Sequence, residues 1–156
     1  MLIRVVAVGT RMPHWVEAGI ADYARRLGPE LRFEIQELPA TKRGANELPA
    51  RAIAEEGRRM LLAIDADDYV VALDVKGKGL STEQLAQWLG ERLGEGREVL
   101  FLIGGPDGLA EPCLKRANLR MSLSALTLPH ALVRVVLAEQ MYRAMSILKG
   151  HPYHRA

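Results

Sequence analysis

The most constraining feature of this sequence is an alternation of short apolar runs with amphipathic helical patterns along all 156 residues. Residues 3–8 (IRVVAV) form a β-branched run closed by Gly9, which predicts a strand buried on both faces. Trp15, Ile20, Tyr23, Ala24 and Leu27 then recur at helical spacing, with Glu17, Asp22, Arg25 and Arg26 between them, so an amphipathic helix follows. Residues 33–38 are strand-like and are stopped by Pro39; residues 40–46 (ATKRGAN) make a polar, basic loop. Pro49 suits the first turn of a second helix reaching about Ile64, where its missing amide hydrogen costs nothing. A third strand is predicted at 69–73 (YVVAL), followed by Asp74 and a glycine-rich link at 75–80. Ser81 with Gln84 is a capping box that opens a helix to about Leu93. Residues 99–103 (VLFLI) read as the fourth strand, 111–117 as a short helix, 119–124 as a fifth strand and 132–148 as a long final helix.

Strands and helices alternating at this spacing predict an α/β fold, a mostly parallel sheet flanked by helices, because parallel strands need crossover helices. No linker, repeat or low-complexity segment interrupts the series, so residues 1–156 read as one domain. Ligands of such sheets bind beyond the carboxyl ends of the strands, which selects the loops at 74–80, 104–109 and 125–130.

Composition narrows the functional classes. Cys113 is the lone cysteine, which excludes a disulfide framework and a cysteine-cluster zinc site and fits a reducing cytoplasm. No apolar run approaches the roughly 20 residues of a membrane span, and the first residues lack a signal-peptide pattern, so a cytoplasmic protein without a membrane partner is expected. The formal charge of +2 hides an asymmetry. Residues 113–156 carry seven Lys/Arg against Glu139 alone, which points to a surface that faces a polyanion.

Three segments are able to carry chemistry. Gly104-Gly105-Pro106-Asp107-Gly108 leaves the fourth strand in a tight turn whose glycines let a ligand approach the backbone, yet it is neither a Walker loop nor GxGxxG. Ser122–His130 (SLSALTLPH) offers small and apolar residues around two serines and a threonine, suited to a neutral adenine ring; it has no nucleophile elbow. The tail GHPYHR supplies His151, Tyr153, His154 and Arg155, and Pro152 argues against a helical metal-binding pair, so no metal site is expected. The final helix is apolar over most of its circumference and calls for cover on more than one side, by a second copy in a C₂ homodimer or by the monomer's own elements. Arg134 and Arg143 are expected on its polar remainder. Cys113 reads as a structural thiol.

The strings FLIGGPDGL (101–109), LSALTLPHALVRVVLAEQMYRA (123–144) and GHPYHR (150–155), with VAVGTRMPHWV (6–16) and PATKRG (39–44), closely resemble the RlmH family of SPOUT-class methyltransferases over essentially the whole chain. Ala131, where the family pattern has proline, and Met145, where it has tryptophan, depart from it. The resemblance implies a C-terminal trefoil knot, a homodimer, S-adenosylmethionine as cofactor, and methyl transfer to N3 of a pseudouridine in a stem-loop of 23S ribosomal RNA on assembled ribosomes. RNA, not DNA, is the implied polyanion.

Carried over by motif, Leu73, Gly104 and Leu123, Ser124, Ala125, Leu126, Thr127 and Leu128 would contact S-adenosylmethionine. His130, Tyr153, His154 and Arg155 would lie near the target nucleotide, with a partner subunit as one source of the tail. His130 is expected to orient the base or accept a proton, Arg155 to stabilise developing charge, and Tyr153 to stack on a splayed base. Lys115, Arg116, Arg120, Arg134 and Arg143, and Lys42 and Arg43 of the basic loop, are candidate phosphate contacts. Two other readings remain open at this point: a non-catalytic, ribosome-associated RNA-binding module, and an α/β enzyme that uses another adenine-containing ligand.

Overall fold

In the computed structural model, which describes residues 1–155, the chain runs β1 (Leu2–Val8), α1 (His14–Arg26), β2 (Arg32–Leu38), α2 (Pro49–Leu62) and β3 (Tyr69–Gly79). It continues through α3 (Thr82–Glu95), β4 (Val99–Ile103), α4 (Glu111–Arg116), β5 (Leu119–Ser122) and α5 (His130–Leu148). The strands form one sheet in the order β2-β1-β4-β3-β5, every pairing parallel.

Alternation along each strand divides the core in two. Ile3, Val5 and Ala7 of β1 and Val99, Phe101 and Ile103 of β4 face Leu85 and Leu89 of α3 and Leu137, Met141 and Met145 of α5. Val6 and Val8, with Leu100 and Leu102, face Met60 of α2 and Cys113 of α4. Each such fully buried aliphatic side chain stabilises the fold by about 1.5–3 kcal/mol relative to exposure. Connections that step toward β2 (β1 to β2, β3 to β4) carry their helices, α1 and α3, on the first face; those that step toward β5 use α2 and α4 on the second. A single handedness of crossover requires this segregation.

Helix boundaries follow local chemistry. Pro49 opens α2 as expected, and Ser81 caps α3, accepting from the Gln84 amide at 3.1 Å while Gln84 Oε1 accepts from the Ser81 amide at 2.9 Å. Among the described residues no helix is long and apolar enough to cross a membrane.

Three boundaries differ from the sequence reading. The glycine-rich link after Leu73 is a continuation of β3: both Leu73 and Lys78 pair with Met121, and the residues between them bulge out of the ladder. The fifth strand stops at Ser122, because Ser122 Oγ donates to the Ser124 carbonyl at 2.9 Å and turns the chain. The last helix begins at His130 rather than Leu132, with Pro129 accepting the first amide.

Arg134 also departs from expectation. It is 1% exposed and lies between α5 and the sheet, not on a polar face. A cation is accommodated there because Nη1 donates to Glu37 Oε2 at 2.6 Å and Nη2 to the Gly9 carbonyl at 2.9 Å.

Candidate functional site

The carboxyl ends of β3, β4 and β5 open into one cleft of about 800 Å³. Its first wall is the β3 bulge, which turns Leu73, Asp74 and Val75 toward the cavity. The bulge depends on Gly77, where a Cβ would lie 2.7 Å from the Met121 backbone.

The second wall is the turn after β4. A Cβ on Gly104 would sit 2.6 Å from the carbonyl carbon and oxygen of Gly108, so that position admits no side chain. The Gly108 amide donates to the Gly105 carbonyl at 3.1 Å, and its φ of +86° is one that glycine tolerates without strain.

The third wall is the loop from β5 to α5. The Leu126 amide donates to Ser124 Oγ at 2.9 Å, which folds Leu123, Ser124, Leu126, Thr127 and Leu128 around the opening. Ala125 belongs to the same loop but is exposed and does not line the cleft. His130, half-buried at the first position of α5, closes the rim. Its Nε2 lies 3.6 Å from where a Gly9 Cβ would be, so the bare backbone at the end of β1 makes room for the imidazole.

Tyr153, His154 and Arg155 do not line this cleft. The tail folds back along the second half of its own α5. Tyr153 Oη donates to Glu139 at 3.3 Å and its ring meets Tyr142 edge-on at 4.6 Å, while Arg143 lies 4.7 Å over it. His154 Nε2 is 3.0 Å from Glu83 and Nδ1 is 3.3 Å from Arg143. Glu139 and Arg143 follow His130 by nine and thirteen residues, about 14 and 20 Å along the helix. Within one chain, therefore, the tail and His130 are not brought together.

Electrostatics accord with these contacts. Burial, and then a hydrogen bond with Tyr23, push the Tyr153 phenol up to about 12. Glu139 raises the Arg143 guanidinium, and the Glu83 carboxyl is lowered, first by its own backbone amide and then by His154. Burial raises the Cys113 thiol, whose Sγ packs 3.5 Å from the Gly57 carbonyl, as a structural cysteine should.

Several candidate phosphate contacts are committed inside the fold. Arg134 is buried, Arg143 pairs with Glu139 at 2.7 Å, and Arg116 donates to the Asp65 and Asp68 carbonyls at 3.1 Å, tying down the turn before β3. Lys115 and Arg120 remain exposed. In the basic loop Lys42 is exposed, but Arg43 turns inward to Glu56 and Asp107. Sequence reasoning missed that network because Glu56 sits in an amphipathic helix among exposed charges, and nothing local marks it as 3% exposed. Among the described residues no group of His, Cys, Asp and Glu is arranged to hold a metal ion.

Residues 1–154 match the family described as "Predicted SPOUT methyltransferase". Proteins named "Ribosomal RNA large subunit methyltransferase H" are similar over nearly their full lengths. That of Alkalilimnicola ehrlichii is 55% identical over 156 residues, covering 100% of both chains. The Thioalkalivibrio sulfidiphilus protein is 54% identical over 155 residues (99% of each chain), and that of Pseudomonas fluorescens 50% over 155 residues (99% of this chain, 100% of the other).

Proposed function

This chain belongs to the SPOUT methyltransferase family and is a ribosomal RNA methyltransferase, and on that premise we propose that it methylates N3 of a pseudouridine in a stem-loop of 23S ribosomal RNA, using S-adenosylmethionine and acting on assembled ribosomes. The observation that carries this reading is the convergence of the β3 bulge, the Gly104–Gly108 turn and the 123–128 loop on one cleft. The residues suit the cofactor. Gly104 presents bare backbone where a side chain would fill the wall, the leucines of the 123–128 loop offer an apolar bed for an adenine, and Asp74 places a carboxylate beside a cationic ligand. Bound there, S-adenosylmethionine supplies a methyl group activated by a positively charged sulfur.

The chain's own contribution is alignment and proton handling. His130 on the cleft rim is placed to orient the imide edge of the target base or to accept its N3 proton. Arg155 stabilises the charge that develops as that proton leaves, and Tyr153 stacks on the splayed base. Because the tail lies about 14–20 Å down α5 from its own His130, these two residues act from a second copy of the chain. The first turns of α5 support such a homodimer: Leu132, Val135 and Val136 are only half-buried in one chain. In this reading the chain is a single cytoplasmic domain whose C-terminal part carries the trefoil knot that the family resemblance implies.

The test supplies S-adenosylmethionine with a labelled methyl group to assembled ribosomes and, separately, to free ribosomal RNA, followed by nucleoside analysis. Label in a methylated pseudouridine from ribosomes is the expected result. Cofactor binding without label would overturn the substrate assignment. Absence of both would leave an RNA-binding module, and displacement by NAD or ATP rather than S-adenosylhomocysteine would point to another adenine-containing ligand.

A further inference from the structure

The Gly104–Gly108 turn is held from behind by a single guanidinium. Arg43 Nη1 and Nη2 donate to the two carboxylate oxygens of Glu56 at 3.0 and 3.2 Å, and Nε donates to Asp107 Oδ2 at 2.7 Å. Nη1 also reaches the Thr41 carbonyl at 3.0 Å, and Glu56 Oε2 accepts from the Thr41 amide at 2.9 Å. Glu56 is 3% exposed and anchored in α2, so the fixed end of the clamp is the body of the protein and the free end is the turn. Only arginine presents donors in a planar fork that serves two carboxylates at once.

The clamp lies directly against the turn. A Cβ on Gly105 would be 3.4 Å from Glu56 Oε1 and 3.7 Å from Arg43 Nη2. Backbone with this many glycines has much conformational freedom to lose, and a ligand that had to order it would bind more weakly. Arg43, with most of its donors turned inward, is also poorly placed to meet a phosphate, which leaves Lys42 as the outward cation of the TKR segment.

We propose that Arg43 is a positioning residue for the cofactor cleft: by tying Asp107 to Glu56 it pre-sets the Gly104–Gly108 turn in the conformation that admits S-adenosylmethionine. This rests on the reading of the cleft as the S-adenosylmethionine site.

Calorimetric titration with S-adenosylmethionine tests it on wild type, Arg43→Gln, Asp107→Ala and the double variant, beside thermal melts and binding of a labelled ribosomal RNA stem-loop. Each single variant should raise Kd by roughly tenfold, the double should be no weaker than the singles, and RNA affinity should stay within about twofold. In turnover, KM for S-adenosylmethionine should rise with kcat little changed. A folded Arg43→Gln protein that binds at wild-type affinity overturns the proposal, as does loss in Asp107→Ala alone, which would mean direct contact by Asp107. Should Arg43→Gln fail to fold because Glu56 is left buried and unpaired, R43M/E56Q removes both charges and keeps an acceptor for Thr41; wild-type affinity in that variant overturns the proposal equally. A wild-type protein that does not bind S-adenosylmethionine defeats the reading of the cleft itself, whereas wild-type binding with unaffected variants defeats the clamp alone.

Discussion

Arg134 Nη1 donates to Glu37 Oε2 across 2.6 Å, and this one contact ties the first turns of α5 to the carboxyl end of β2, one helical turn below His130. The arginine is 1% exposed, whereas the glutamate side chain keeps 33% of its surface. The two partners are therefore unequal. Glu37 can regain water if the arginine is removed, but Arg134 without its partner stays a buried cation.

Arg134→Ala is expected to lower unfolding free energy by about 3 kcal/mol or more, because it deletes a large buried side chain as well as the pair. Glu37→Gln should cost about 2–3 kcal/mol, because Arg134 then stays a buried cation met only by a neutral amide oxygen and by the Gly9 carbonyl, which accepts from Nη2 at 2.9 Å. Urea denaturation at neutral pH measures both; a Glu37→Gln protein as stable as wild type would contradict the buried-cation argument.

The turn after β4 makes a sharper prediction. Gly104→Ala forces a Cβ against the Gly108 carbonyl, whereas Gly79→Ala meets nothing within 4 Å. S-adenosylmethionine affinity should fall by at least roughly tenfold in the first and stay unchanged in the second. The second variant's melting temperature should remain near wild type.

Tyr153 sets an alkaline limit on the docked tail. Its phenol ionises near 12 in the folded chain against 10.0 for the free side chain. The folded state therefore holds a proton that the unfolded state has released, and stability falls as pH rises from about 10 to about 12; below 10 the contribution is fully present. Phenolate absorbance should show a late-titrating tyrosine that Tyr153→Phe removes. A Tyr153→Phe protein with an unaltered late phase would assign it to another ring.

Subunit complementation addresses the distance between His130 and the tail. His130→Ala and Arg155→Ala proteins should each lose activity, and mixing them after dissociation should restore about a quarter of it, because half the dimers then hold one intact composite site. No recovery on mixing, with subunit exchange confirmed by mass, would place both residues in one chain's site.

Much of the architecture is written in local chemistry. The continuous apolar runs at residues 3–8 and 99–103, helical spacing around Tyr23, the Ser81–Gln84 box and Pro49 are readable residue by residue, since each depends on neighbours a few positions away. The same holds for the three loops of the cleft, because in a parallel α/β sheet the strand ends dictate where loops converge. Even so, Ala125 shows the limit: a motif names a loop, and backbone direction decides which of its residues face inward.

By itself the sequence determined the order of strands and helices, the glycine turn and the basic C-terminal third. Only the tertiary structure decided that Arg134 and Arg43 turn inward, that β3 carries a bulge, and that Tyr153 and His154 rest against Glu139 and Glu83, away from His130. The physical reason is common to all of these. A charged side chain takes its place from partners far along the chain, as Glu37 lies ninety-seven residues from Arg134, and no local pattern records a partner that only folding supplies.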